Sequence, residues 1–350
     1  MTARYKELDG LRGVAALAVF ISHAIKMIHY KPDDAAYLIA DRIGVAAVDL
    51  FFVLSGFCLI LPYIDNNRPV DVINFVIRRI LRIYPVYLVV IVISVISRNY
   101  IFSGEQITGL TGWFNSFWTT EISVMEVINH LFLITGGYRT GIIDPVIWTL
   151  IIEMKASLIL PFVFPFIKKY SFQYHAVYII LIGIIGTQAK LFGFFSLFLL
   201  GGILARYRHP VTSLFRNYGA KLLAVSIAVV LFILQFVMPV FDRWQTHYML
   251  GLTAVIIISL VLANKGTSFF CGPVATLLGE ISYPLYLVHL PVMITVASLI
   301  FPATSSAFLV WGLTFFITVL YSMAIHICIE KPFISVGRKL TTRTHFSLPA

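Results

Sequence analysis

Charge is what this sequence has least of. Asp, Glu, Lys and Arg make up 12% of the 350 residues against 59% hydrophobic ones, and mean hydropathy is +0.91. A soluble domain of this length needs far more polar surface, so a water-soluble globule is excluded. As a single residue type cysteine is scarcer still: Cys58, Cys271 and Cys328 sit in or beside apolar runs, with no Cys-x-x-Cys or Cys/His spacing. Neither a disulfide framework nor a zinc centre is indicated, no metal is expected, and the cysteines read as packing residues. The basic residues behind the net charge of +10 form short clusters between apolar runs, which argues against nucleic acid as a partner. A cleavable leader is also missing, because Arg4, Lys6, Glu7, Asp9 and Arg12 run into a long apolar stretch with no small-residue cleavage site after it.

What remains is apolar runs, each about 20 residues long and so able to cross a hydrocarbon core. They fall near 12–29, 45–63, 83–101, 146–167, 174–190, 192–207, 221–239, 246–263, 283–301 and 307–329. The fold class expected is an all-α polytopic integral membrane protein with about ten transmembrane helices around a central polar cavity. The fifth run is set off from the sixth only by Gln188, Ala189 and Lys190, so a re-entrant pair is the alternative there. Lys and Arg concentrate in alternate loops, among them Arg4, Lys6, Arg78, Arg79, Arg82, Lys168, Lys169, Arg206, Arg208 and Lys331, which places both termini in the cytoplasm. The longest connection, 102–145, is then external; it carries Trp113 and Trp118 and is expected to lie on the interface or cap a cavity. One membrane domain, 1–335, is expected, followed by a short basic cytoplasmic tail, 336–350.

Ionisable residues inside spans are costly unless paired or facing a cavity, so they mark candidate sites. Arg12 and His23 lie on the first span, eleven residues apart, on one face and about 16 Å apart along the axis. Taken singly, Arg12 reads as a snorkelling anchor and His23 as an interhelical hydrogen-bond partner; the shared face favours function. Asp49, in the second span, is positioned to orient His23, while Ser55 and Gly56 suit close packing. Arg78 and Arg82 share a helical face beside Arg79, a fork suited to phosphate oxygens, with anchoring by anionic lipid as the plain alternative. Trp148, Thr149 and Glu153 follow on the fourth span, where a structural pair of Glu153 with Lys155 or an arginine is the plain alternative. Ser282, Tyr283, Tyr286 and His289 open the ninth span, with Ser282, Tyr286 and His289 on one inward face, and Glu330-Lys331-Pro332 closes the tenth.

In order along the chain, Leu8-Asp9-Gly10-Leu11-Arg12-Gly13 with His23, Phe51 to Phe57, Arg78-Arg79 with Arg82-Ile83-Tyr84-Pro85, Trp148-Thr149-Leu150 with Glu153, Ser282 to His289, and Glu330-Lys331-Pro332 resemble the acyltransferase-3 family of membrane acyltransferases. Each motif alone is weak; six in sequence over nearly the whole chain are specific. The resemblance implies transfer of an acyl group, commonly acetyl from cytoplasmic acetyl-CoA, to a hydroxyl of an extracytoplasmic or lipid-linked glycan, in a bacterial inner membrane. It implies no permanently bound cofactor, with acetyl-CoA as the donor substrate. Membrane lipids and the glycan acceptor are the expected partners, with polysaccharide-assembly proteins as possible ones. Arg12 and His23 match the family's essential pair, and Arg78 and Arg79 its donor-associated basic residues. Some members carry an appended hydrolase-like domain, which is not expected here.

The spacing permits a mechanism. With CoA phosphates on Arg12, Arg78, Arg79 and Arg82, a pantetheine arm along the first helix brings the thioester about 16 Å inward, level with His23. His23 then acts as general base or as covalent acyl carrier, Glu153 or Asp49 fixes its tautomer, and Ser55, Trp148, Thr149, Ser282, Tyr283, Tyr286 and His289 complete the cavity. The rival reading is a secondary transporter or exporter of a glycan or small metabolite, and a lipid-binding scaffold is a third.

Overall fold

A computed structural model describes residues 5–343 apart from 30, 32–33, 66–69, 103, 134–139, 189, 238–242 and 265–267. Among the described residues the regular structure is helical: α1 (Lys6–Ile28), α2 (Ala35–Asp65), α3 (Val72–Tyr100), α4 (Gly112–Asn115), α5 (Val124–His130), α6 (Ile147–Lys169), α7 (Phe172–Gln188), α8 (Lys190–Leu214), α9 (Tyr218–Val237), α10 (Arg243–Ala263), α11 (Ser268–Cys271), α12 (Pro273–Glu280), α13 (Ser282–Thr304), α14 (Ala307–Ile325) and α15 (Lys331–Arg343). Nine described helices are long and apolar enough to cross a membrane, and the shorter α7 corresponds to the fifth expected run. The chain is a multi-pass membrane protein. In lipid a backbone must satisfy its own N–H and C=O groups, so apolar runs become helices whatever their local propensity, and Pro62, Pro85, Pro161, Pro165, Pro210 and Pro291 are tolerated inside them. Side chains set the ends: Asp71 caps α3 by accepting the Asn74 N–H at 3.0 Å, and Ser306 caps α14 by accepting that of Leu309 at 3.3 Å.

The chain divides into two compact units. The first comprises 1–19, 42–70 and 158–280. Its helices meet at glycines: a Cβ on Gly56 of α2 would overlap the Phe198 carbonyl of α8, and one on Gly201 of α8 would overlap the Val53 carbonyl of α2. Only hydrogen at both positions lets the two backbones touch. Gly10 of α1 packs likewise against the Phe270 carbonyl of α11, which accounts for one glycine of the Leu8 to Gly13 motif. On the outside of the unit, α9 has only 17% of its apolar window buried and offers Leu222, Leu223, Val230 and Ile233 to lipid.

The second unit comprises 20–41, 71–157 and 281–350. Its centre is α13, with 78% of its apolar window buried, so polar groups on this helix are shielded from lipid and must find partners within the unit. Beyond α14 the chain passes through a π-helical turn, His326–Glu330, where His326 Nδ1 meets Glu330 Oε2 at 2.6 Å, and continues as α15. The tail expected from 336 is therefore helical as far as Arg343, and 344–350 lie outside the described residues. It is helical because it has a dock: Arg78 Nε of α3 donates to Thr341 Oγ1 at 2.6 Å, and Gly337 lies against Leu81.

Candidate active site

Two histidines form the core of the second unit's polar interior. His23, on the last turns of α1, and His289, on α13, stack with ring centroids 5.1 Å apart and planes 11° apart. His23 Nδ1 and His289 Nε2 are 2.8 Å apart, and His289 Nδ1 is 2.7 Å from the Tyr286 carbonyl oxygen. A carbonyl only accepts, so His289 Nδ1 carries a proton and donates it. In the neutral ring Nε2 is then bare, and it accepts from His23 Nδ1–H. His23 is left with its lone pair on Nε2, which has no hydrogen-bond partner among the described residues. His289 is wholly buried, so nothing from solvent competes for the relay.

The walls come from α6 and from the connection between α3 and α6. Thr149 Oγ1 on α6 is 2.9 Å from the Val146 carbonyl and 3.1 Å from the Tyr286 hydroxyl, whose ring centroid is 5.9 Å from that of His289. The connection between α3 and α6 folds onto the end of α1, where Thr111 donates through its hydroxyl to the Lys26 carbonyl at 2.9 Å and through its N–H to that of Met27 at 3.0 Å. This seats Trp113 5.5 Å from the His23 ring, with Lys26 Nζ 5.7 Å from the Trp113 ring and paired with Asp41. Of the two expectations for the connection that carries Trp113, an interface position or a cap on a cavity, this contact with His23 fits the cap. Nothing local in the sequence links position 113 to position 23.

A charged cluster adjoins the same unit's α3, α6 and α13. Arg79 is ion-paired to Glu153 and donates from Nε to Ser157 Oγ at 3.2 Å. Glu153 therefore takes the arginine partner rather than Lys155, and it is Arg79, not His23, that it holds. The Tyr283 hydroxyl donates to the Ile83 carbonyl at 2.8 Å, and its phenol lies in the field of Glu153, Glu330, Arg79 and Arg82. Ser282 is buried, and Trp148 is 37% exposed.

Other expected residues belong to the first unit. Asp49 is wholly buried on α2, but its carboxylate faces His247 on the first turns of α10, with Oδ2 2.8 Å and Oδ1 3.0 Å from His247 Nδ1. That corrects the expectation that Asp49 orients His23: a buried carboxylate needs the nearest available donor, and α10 supplies it. Phe194 and Trp244 flank His247 with centroids at 4.9 Å and 5.5 Å. Arg12 lies 3.6 Å from Asp9 one turn earlier on α1, and Ser55 is half-buried on α2 beside the Gly56 crossing.

Comparison with known proteins adds what geometry alone does not. No solved structure matches the chain significantly. It is 24% identical over 331 residues to the O-acetyltransferase OatA of Staphylococcus aureus strain NCTC 8325, covering 83% of this chain and 51% of that protein. It is 25% identical over 372 residues to a putative O-acetyltransferase of Staphylococcus aureus strain COL, covering 95% of this chain and 58% of that protein. The chain spans a little over half the length of these curated relatives. A family described as an acyltransferase domain matches residues 5–327, from before the Leu8 to Gly13 motif to within the π-helical turn, and the chain therefore belongs to the acyltransferase-3 family.

Proposed function

We propose that this chain is a membrane O-acyltransferase that moves an acyl group, acetyl from cytoplasmic acetyl-CoA, onto a hydroxyl of a cell-surface or lipid-linked glycan, in a bacterial inner membrane with both termini in the cytoplasm. The observation that carries it is the relay from His23 through His289 to the Tyr286 carbonyl, which puts the His23 proton on Nδ1 and leaves the lone pair on Nε2 free to act on an acceptor. Family membership and the names of the relatives support the reaction class.

As general base, His23 Nε2 takes the acceptor hydroxyl proton while that oxygen attacks the thioester carbonyl carbon. The C–S bond breaks, and the CoA thiolate recovers the proton from the imidazolium. As covalent carrier, Nε2 attacks the carbonyl carbon itself and the C–S bond breaks; the acceptor hydroxyl then attacks the acyl carbon, the C–N bond breaks, and the hydroxyl proton passes to the freed Nε2 and on to the CoA thiolate. Both routes need the same open nitrogen. Arg78, Arg79 and Arg82 on α3 would hold the donor's phosphates; Arg12, in the first unit, is taken as a donor contact from the family resemblance alone. Thr149 gives its one hydroxyl proton to the Val146 carbonyl and accepts from Tyr286, so the Tyr286 hydroxyl would turn from Thr149 to donate to the carbonyl oxygen as charge gathers there.

The test uses membrane vesicles from cells expressing the chain, supplied with acetyl-CoA labelled in the acetyl group. Release of CoA thiol together with label on glycan hydroxyls is expected, and both should vanish in His23→Ala. A transporter or scaffold consumes no thioester, so vesicles that release no CoA would overturn the proposal. Label retained on acid-quenched protein would select the covalent route.

A further inference from the structure

Asp144, in the turn leading into α6, has no part in the chemistry above. Its side chain is fully buried. Oδ1 accepts the Val146 N–H at 3.2 Å, while Oδ2 has no hydrogen-bond partner among the described residues. The turn is firmly held: Arg98 of α3 donates to the Ile142 carbonyl at 2.5 Å, and Trp118 Nε1 donates to the Ile143 carbonyl at 2.8 Å. Five residues on, Thr149 meets the Tyr286 hydroxyl, and the Asp144 carboxyl lies within electrostatic range of that phenol. Among the described residues, the Tyr286 phenol on α13 lies in the field of both Asp144 and Glu153, and Arg98 on α3, itself in the field of Glu126, bonds to Ile142 two residues before Asp144. None of them bonds to the carboxyl.

A carboxylate here would be a fully buried charge with a single backbone hydrogen bond among the described residues. Burial accordingly holds the Asp144 acid well above the ordinary carboxylate range.

We propose that Asp144 is a further positioning residue of the acyl-transfer site: a carboxylic acid required in its neutral form, which fixes the entry into α6 through Oδ1 and adds no negative charge to the Thr149–Tyr286 corner beyond that of the Arg79-paired Glu153 while the transferred carbonyl oxygen gathers charge. The inference rests on the acyl-transfer reading. Its two components separate cleanly, because an amide holds the turn as well as a carboxyl does and can never ionise. The acid is neutral and the site competent below its raised value; as pH climbs through that value the group ionises and transfer slows.

The experiment compares wild type, Asp144→Asn and Asp144→Ala in vesicles with labelled acetyl-CoA from neutral to alkaline pH. Wild-type kcat should fall about tenfold per pH unit once the acid ionises. The asparagine variant should stay within about threefold of wild type at neutral pH and lack that fall, while the alanine variant should be slower throughout. An infrared difference spectrum of wild type against the asparagine variant should show a protonated-carboxyl C=O band at neutral pH. Absence of that band, or an asparagine variant with the wild-type alkaline fall, overturns the assignment of Asp144. Wild type that consumes no acetyl-CoA overturns the acyl-transfer reading and the role of Asp144 in it, while the infrared band still reports the acid's protonation.

Discussion

Replacing His289 with leucine tests the relay most directly. His289 accepts from His23 Nδ1 at 2.8 Å and donates to the Tyr286 carbonyl at 2.7 Å, with no solvent exposure. Leucine can do neither, so His23 Nδ1–H loses its acceptor in a buried setting, which costs about 1–3 kcal/mol. The neutral imidazole escapes that cost by moving its proton to Nε2, and the lone pair that acts on the acceptor is gone. Converted to rate, the loss of kcat should be about 5- to 150-fold, with KM for acetyl-CoA unchanged because no charge has been altered. Glutamine at 289 can accept through its amide oxygen and donate through its amide nitrogen, so turnover should rank wild type, then His289→Gln, then His289→Leu. Initial rates of CoA release from purified protein in proteoliposomes give kcat and KM, and thermal unfolding checks that each variant is folded. A folded leucine variant whose kcat stays within about twofold of wild type would refute the relay.

Arg12→Ala should raise KM for acetyl-CoA and leave kcat near wild type, measured in the same vesicles; an unchanged KM removes Arg12 from donor binding. Arg79→Ala leaves Glu153, 24% exposed, without its cation, and should cost stability toward the low end of about 3–5 kcal/mol, read as a lowered melting temperature in detergent. Glu153→Gln should cost less, since it leaves the Arg79 bond to Ser157 in place. His247→Leu should destabilise by stranding Asp49, and adding Asp49→Asn should recover part of the loss; strictly additive melting-temperature changes would mean the two do not act as a pair. Gly56→Ala demands room where the Phe198 carbonyl sits, so a native-like melting temperature in that variant would contradict the backbone contact between α2 and α8.

The sequence by itself determined the class of protein and the course of its spans. Lipid offers no hydrogen bonds to a backbone, so a run of apolar residues long enough to cross it has one solution, and the ten expected runs correspond to nine long apolar helices and the shorter α7. It also marked most of the polar positions that the candidate site brings together, because a histidine, arginine or acid inside such a run stands out against its surroundings. Motif order was enough to point to the family. What only the tertiary structure decided is who partners whom. Asp49 turns to His247, 198 residues away, and His23 to His289, 266 residues away. Trp113 reaches His23 because Thr111 ties its loop to the end of α1. Asp144 drew no notice in the sequence, since one acid in a loop is ordinary until the fold buries it with Oδ2 lacking a hydrogen-bond partner among the described residues. Such pairings depend on which faces of two distant helices meet, and that is set by side-chain packing and glycine contacts spread over the whole unit rather than by any local pattern.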